Sequence, residues 1–350
     1  MTSLFLAFLL FAQAASSNAA SHFQAAMDAS RRNQVELAIA EFKQAIALEP
    51  NDPSSYVGLG QVYMQSARYS EAIPALKHAL ELKPDLLAAH RLLGYSLLTQ
   101  GYAAEATPHL KQSKDSGALG IAQIDTNQFA DAVINLQAAL AEKPDDPDLL
   151  YYLGRASQML ANESNEKLLT KFPQSARSHQ LRAQNYSVLH ETAKAEAEYR
   201  AALTARSNLP GIHLELAQVL AESSRLSQAE QELREERRLR PGSAEAAYRL
   251  GQVLLQQGKA QEAAHELKQS DELMPDMPET LQSLGQAAFL SGDKALAEKS
   301  WTHLLTIESG SSLAAQAHFG LAGLYRSQGK RVQAEKEMQE FKRLNPPQHP

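Results

Sequence analysis

The sequence predicts an all-α solenoid, a one-dimensional stack of helical hairpins. Three observations carry this. Gly94 follows Gly60 by 34 residues, and Ala106 follows Ala72 by the same interval. A fixed period of this size marks a repeat array. Within Pro53–Leu86, Tyr56, Leu59, Gly60 and Tyr63 mark one helical face, Ala72, Leu76 and Ala79 mark a second, and Pro84 closes the stretch. Neither helix can bury its apolar stripe alone, so stacked neighbours bury it for each other. Hydrophobic residues make up 44% of the chain but aromatics only 6%, so alanine and leucine dominate and favour helix. No alternating apolar and polar run bounded by turns argues for strand.

Period and residue choice together resemble the tetratricopeptide repeat family. Its unit favours a large residue at position 4, Leu at 7, Gly or Ala at 8, Tyr at 11, Ala at 20, an aromatic at 24, Ala at 27 and Pro at 32. The resemblance implies a right-handed superhelical solenoid. About ten helix–turn–helix repeats align over Ala19–Pro347, starting near Ala19, Pro53, Leu87, Ser113, Pro147, Ala176, Pro210, Ala244, Pro278 and Ala315. Position 8 reads Ala26, Gly60, Gly94, Gly120, Gly154, Ala183, Ala217, Gly251, Gly285 and Ala322. A Gly inside a helix costs roughly 1 kcal/mol against Ala, so its recurrence requires close packing. Position 20 reads Ala38, Ala72, Ala106, Ala132, Ala195, Ala229, Ala263, Ala297 and Ala334, with Ala161 joining when the fifth repeat is counted back from Pro173. Small residues facing small residues are expected to bring the two helices of a repeat together.

Helix ends are written in as well. Asp52-Pro53 and Asp146-Pro147 place a capping carboxylate before a first-turn proline. Gly101, Gly258, Gly292 and Gly329 fall between paired helices, where a left-handed residue ends the first. Pro50, Pro84, Pro144, Pro173, Pro241, Pro275 and Pro346 stop second helices. Pro74 and Pro108 lie near the starts of second helices, where the missing N–H is tolerated. The third repeat, Leu87–Gln112, is eight residues short, and the fifth, Pro147–Ser175, is five short. This predicts an N-terminal stack of three repeats over 19–112, an irregular seam of two over 113–175, a C-terminal stack of five over 176–347, and a tail, 348–350.

The N-terminus reads as an export leader over residues 1–14. Leu4–Phe11 is an apolar run followed by Ala12-Gln13-Ala14, an A-x-A-like cleavage pattern, although no Lys or Arg precedes it. A periplasmic or secreted location follows as an expectation, with no membrane span in the mature chain.

Catalytic and cofactor chemistry finds little support. There is no Cys, which removes thiolate nucleophiles and Cys-based zinc sites. No Walker loop, dinucleotide fingerprint or G-x-S-x-G elbow occurs. His22, His90, His179, His213 and His318 all occupy position 4 and are expected to pack between adjacent repeats, too far apart for one metal site. His78, His109, His265 and His303 fall on second helices and are expected at the surface. Glu232–Arg240 reads as a solvated, ion-paired helix face. Trp301, the lone Trp, occupies position 24 and is expected in the core. The net charge of −6, without a basic block, gives no nucleic-acid groove. No catalytic residue, metal or cofactor is expected.

The resemblance implies a concave groove lined by first helices that accepts a protein or peptide. Carried onto this chain, it nominates Arg91 and Tyr95, then Tyr151, Tyr152, Arg155 and Gln158, then Gln180 and Gln184, Gln218, and finally Tyr248, Arg249, Gln252 and Gln256. Tyr and Arg dominate binding hot spots, and Gln amides pair with a peptide backbone in both directions. Phe23 and Met27 stand where the family's chaperone-tail clamp needs polar groups, so that subtype is not expected. The expectation is a non-enzymatic binding scaffold. Its alternative is an accessory subunit of an envelope enzyme or assembly, engaged through the outer helix faces.

Overall fold

The computed structural model describes residues 2–345, with side chains from residue 17 onward. The leader read over residues 1–14 lies outside the described side chains, and the tail 348–350 lies outside the described residues. Among the described residues every element is a helix, nineteen in all. Eighteen of them form nine sequential pairs. The first four pairs are α1 (Thr2–Arg31) with α2 (Val35–Leu48), α3 (Pro53–Gln65) with α4 (Tyr69–Leu82), α5 (Leu87–Thr99) with α6 (Ala103–Ser113), and α7 (Ser116–Asp125) with α8 (Phe129–Glu142). Then α9 (Pro147–Lys171) stands alone. The last five are α10 (Ala176–Val188) with α11 (Thr192–Ala205), α12 (Ile212–Glu222) with α13 (Leu226–Leu239), α14 (Ala244–Gln256) with α15 (Ala260–Leu273), α16 (Pro278–Ser291) with α17 (Lys294–Ile307), and α18 (Ser312–Ser327) with α19 (Arg331–Leu344). Each second helix also packs on the first helix of the next pair where both lie in one compact unit, which is how a solenoid grows its core.

The turn between paired helices is made the same way nine times. Position 15 of each paired repeat has positive φ: Asn33, Ala67, Gly101, Asn127, His190, Ser224, Gly258, Gly292 and Gly329. Sequence reading found the four glycines. The other five escaped it because their side chains do not announce a left-handed residue. Asn tolerates that region, whereas Ala67 at φ 58° adopts it against the steric cost a Cβ incurs there.

Position 8 packs most closely on position 24 of the same repeat, and in the fourth repeat it also meets position 20, where a Cβ on Gly120 would lie 3.2 Å from Ala132 O. A Cβ on Gly60 would lie 2.6 Å from Leu76 Cγ and Cδ2, one on Gly251 2.4 Å from Leu267 Cγ, and one on Gly285 2.4 Å from Trp301 Nε1. The large side chain of the second helix lies across the glycine backbone. The position-20 alanines are buried in the same helix pairs, from Ala38 at 0% to Ala334 at 5% exposure.

The fifth repeat is a single 25-residue helix, α9, not a helical pair. The five-residue deletion removes the position-15 turn, so the first helix runs on into what would have been the second. Gly154 has nothing within 4 Å of its would-be Cβ, and Ala161, counted as a buried position-20 residue, is exposed. The third repeat lost the end of its second helix. α6 has 11 residues where α4 and α8 have 14. It stops at left-handed Lys114, and Asp115 at once caps α7 by accepting from Ala118 N at 3.1 Å. The chain divides into two compact units, Met1–Ser164 and Asn165–Pro350, with the boundary inside α9. Among the described residues no helix is long and apolar enough to cross a membrane.

Candidate functional site

The candidates are side chains on first helices, so each repeat places its own in register. Within the first compact unit, Arg91 and Tyr95 of α5 share a polar cleft of about 330 Å³ with Lys114, Asp115, Lys143 and Asp148. Ser113 at the end of the shortened α6 and Lys114 after it form part of its lining. Tyr95 Oη donates to Asp115 Oδ2 at 3.0 Å, and burial followed by the Asp115 charge pushes its pKa up to about 12. On α9, Tyr151 is 66% exposed and meets Tyr152 edge to face at 5.3 Å. Tyr152 also packs on the apolar cluster around Leu149 and Ala156, so part of its surface serves the core. Arg155 is exposed.

Within the second unit the candidates are linked. Tyr248 and Arg249 of α14 stack with the guanidinium 5.7 Å from the ring centroid. Gln252 Nε2 donates to Tyr248 Oη at 2.5 Å, and Arg249 pairs with Glu245 at 2.8 Å. Burial raises the Tyr248 pKa, keeping the phenol neutral. Arg249, Gln252 and Gln256 of α14 face Leu214, Gln218 and Ala221 of α12 across a cleft of about 260 Å³. Tyr248 and Arg249 line a second cleft with Glu279 and Thr280 of α16, about 270 Å³. Gln184 of α10 donates from Nε2 to both Glu215 carboxylate oxygens at 3.1 Å, and Gln180 donates to Glu215 Oε1 at 2.8 Å.

The sequence reading missed the next step of this face. Gln282, Gln286, Phe289 and Leu290 of α16 meet Gln316, Phe319 and Gly320 of α18 around a cleft of about 430 Å³. Its apolar walls include Phe341 and Trp301. Trp301 is core, as read, at 2% exposure, yet its edge also lines the cleft. The missed signal was the 34-residue spacing itself. Gln184, Gln218, Gln252 and Gln286 all occupy position 9.

Two of the position-4 histidines reach the preceding repeat, as read: His90 Nε2 lies 2.9 Å from Pro84 O and His213 Nε2 3.3 Å from Ser207 O. All five position-4 histidines also face their own repeat. Each clasps position 23 of its own repeat, joining first helix to second. His22, His179, His213 and His318 meet Glu41, Glu198, Glu232 and Glu337 through Nδ1 at 2.6, 2.6, 2.6 and 2.5 Å. Glu232 raises the His213 pKa. In the third repeat position 23 is His109, half-buried rather than on the surface, with Nδ1 2.8 Å from His90 Nδ1. Burial and the neighbouring His90 lower its pKa. In the Glu232–Arg240 run Arg234, Arg238 and Arg240 are exposed and pair with Glu230, Glu235 and Glu236, as read, but two members of the run are not on that face. Glu236 is fully buried and accepts from Gly211 N with both oxygens at 3.1 Å, capping α12, and Arg237 reaches Glu266 on α15 at 3.2 Å. Among the described residues no group of three or more His, Asp or Glu is arranged to hold a metal.

Comparison with known families agrees with the geometry. A family model described as "TPR repeat" matches residues 31–67, and two described as "Tetratricopeptide repeat" match 118–157 with 214–278, and 53–86. No curated protein matches the sequence. Among solved structures, YrrB, described as a TPR protein with an unusual peptide-binding site, is 19% identical with a TM-score of 0.48, covering 52% of this chain and 92% of its own. MamA from Desulfovibrio magneticus RS-1 is 16% identical with a TM-score of 0.46, covering 49% of this chain and 94% of its own. The Cut9-Hcn1 structure is 16% identical with a TM-score of 0.48, covering 94% of this chain and 88% of its own.

Proposed function

This chain is a tetratricopeptide-repeat protein, with the protein-interaction fold of that family, and we propose that it is a non-enzymatic scaffold holding a peptide segment against its first helices. One observation carries the reading. In the second compact unit, residues from α12, α14, α16 and α18 line three successive clefts, and paired Tyr, Arg and Gln side chains stand along them. Second helices are occupied differently, by ion pairs between repeats such as Arg225–Glu196, Lys259–Glu230 at 2.6 Å and Arg237–Glu266. Groove candidates in the first unit, chiefly Arg91, Tyr151 and Arg155, extend the same role to that unit.

Panning the full chain against a random peptide library tests this. Enriched peptides should lose binding to Tyr248→Ala and Arg249→Glu variants. Enrichment of no peptide, or binding indifferent to both variants, contradicts it. We also propose export, from the apolar run Leu4–Phe11 and the Ala12-Gln13-Ala14 pattern. Sequencing the N-terminus of protein from fractionated cells should find a start near Ala15 in the exported fraction. An intact Met1 in the cytosolic fraction removes the proposal.

A further inference from the structure

Of the five repeats with His at position 4, four hold Glu at position 23, and the third alone holds a second His, His109. The exchange reverses what acid does to the contact. A carboxylate only accepts, so in the four His–Glu clasps the imidazole Nδ1 carries a proton. Protonating the ring's other nitrogen keeps that hydrogen bond and adds an ion pair. His213 shows the direction, since its hydrogen bond to Glu232 holds its pKa above the ordinary value.

The His90–His109 contact obeys a different proton count. The two Nδ1 atoms lie 2.8 Å apart, so one donates and the other accepts. Pro84 O, 2.9 Å from His90 Nε2, can only accept, so that nitrogen keeps its proton. Two arrangements remain. A neutral His90 accepts at Nδ1 from His109, or a charged His90 donates from Nδ1 to a neutral His109. Either way one Nδ1 is bare. With both rings charged, two N–H groups would point at each other across 2.8 Å with no acceptor between them, and the contact could not survive. Burial, and then the neighbouring His90, hold the His109 pKa below its ordinary value. The unfolded chain therefore takes up the proton more readily, and the stability this contact contributes is present above about pH 6.5 and lost as pH falls below it.

The surroundings do not cancel this. Lys77 of α4 faces His109 and disfavours its charge, while Glu105 of α6, which favours it, also pairs with Lys77 Nζ at 3.5 Å. The other carboxylates of α4 are engaged elsewhere, Glu71 with Arg68 and Glu81 with His78. α3 carries no charged residue, and α7 carries only Asp125, at its C-terminal end. Arg91 follows His90 on α5, Lys111 lies two residues after His109 on α6, and Lys83 and Asp85 flank Pro84 with opposite charges.

We propose that the His90–His109 contact is an acid-released latch: protonation of both rings frees α6 from α5 in the third repeat, while the His–Glu clasps of the other repeats tighten. α6 is suited to yield, having 11 residues where α4 and α8 have 14. Ser113 at its end and Lys114 after it line the cleft that holds Arg91 and Tyr95. Acid would loosen that cleft, a consequence that alone rests on the scaffold reading above.

The test is native-state hydrogen exchange of the full chain at about pH 7.5 and about pH 5, either side of the ordinary His pKa. The quantity read is the protection of α6 relative to α8, whose pair with α7 contains no histidine. The ratio cancels the pH dependence of intrinsic exchange. It should fall roughly 3- to 10-fold in acid, the loss of one hydrogen bond. His109→Glu installs the clasp of the other four repeats and should reverse the sign, with α6 gaining protection in acid. His109→Gln, whose amide does not titrate, should remove the acid loss. An unchanged ratio in the wild-type chain, or an acid loss that persists in either variant, overturns the latch. Both results leave peptide binding standing, since no ligand enters the measurement.

Discussion

Gly60→Ala and Gly154→Ala should shift stability in opposite directions, although both replace position-8 glycines in helices. Helix propensity alone gives each about +1 kcal/mol. At Gly154 nothing lies within 4 Å of the new Cβ, so most of that gain should appear, about 0.5–1 kcal/mol. At Gly60 the Cβ would lie 2.6 Å from Leu76 Cγ and Cδ2 and 3.2 Å from Cδ1. Carbon pairs prefer about 3.5–4.0 Å. Leu76 is fully buried. Overpacking of this kind costs about 1–3 kcal/mol. Ala217 stands at the same position in a repeat whose position 24 is also Leu, Leu233, so a pair spaced for the methyl accommodates it. Relaxation toward that spacing puts the cost at Gly60 in the lower part of the range. The net is a loss of about 0–2 kcal/mol. Urea unfolding followed by circular dichroism measures the total, and native-state hydrogen exchange over α3 and α4 assigns the loss to the second repeat. If Gly60→Ala stabilised the chain as much as Gly154→Ala, the packing of position 8 under position 24 would be wrong.

Four further outcomes are expected. His213→Gln should cost stability in acid and little in alkali. The His213 pKa is raised in the fold, so its pairing with Glu232 contributes fully below about pH 6.5 and fades as pH rises through the raised value. Urea midpoints between pH 5 and 9 would show the two proteins converging, and a constant gap would contradict the clasp. Glu236→Ala removes the buried cap of Gly211 and should cost about 1–3 kcal/mol, with exchange protection lost first at the start of α12. Ala67→Gly should be nearly neutral, since relief of the left-handed strain, about 1–2 kcal/mol, offsets the entropy of glycine. Gly258→Ala, at φ 76°, should lose about 1–2 kcal/mol, and urea unfolding followed by circular dichroism measures both variants.

The repeat was legible because its signals are local and recur. Gly60, Ala72, Leu76 and Pro84 each have a partner 34 residues on or a direct consequence for one helix end. What stayed hidden depends on pairs whose two halves are uninformative alone. Glu41, Glu198, Glu232 and Glu337 look like ordinary exposed helix residues until each is seen 19 residues from a position-4 His. Glu236 sat in a charge run that masked its burial. The five missing residues of the fifth repeat were counted, but whether a deletion removes a turn or shortens a helix is decided by what the neighbouring helices can pack against. In the third repeat it cut a helix, and in the fifth it removed the turn and fused two. The groove candidates were named from register. Glu215 tying Gln180 to Gln184, and Trp301 flooring a cleft, needed the fold.

Site-specific photo-cross-linking tests the central claim most directly. A benzophenone side chain placed at Gln218 or Gln286 on first helices should capture the partner, whereas one at Lys268 or Arg200 on second helices should not. Adducts from Lys268 and Arg200 with none from Gln218 or Gln286 would contradict it and give the interaction to the outer face.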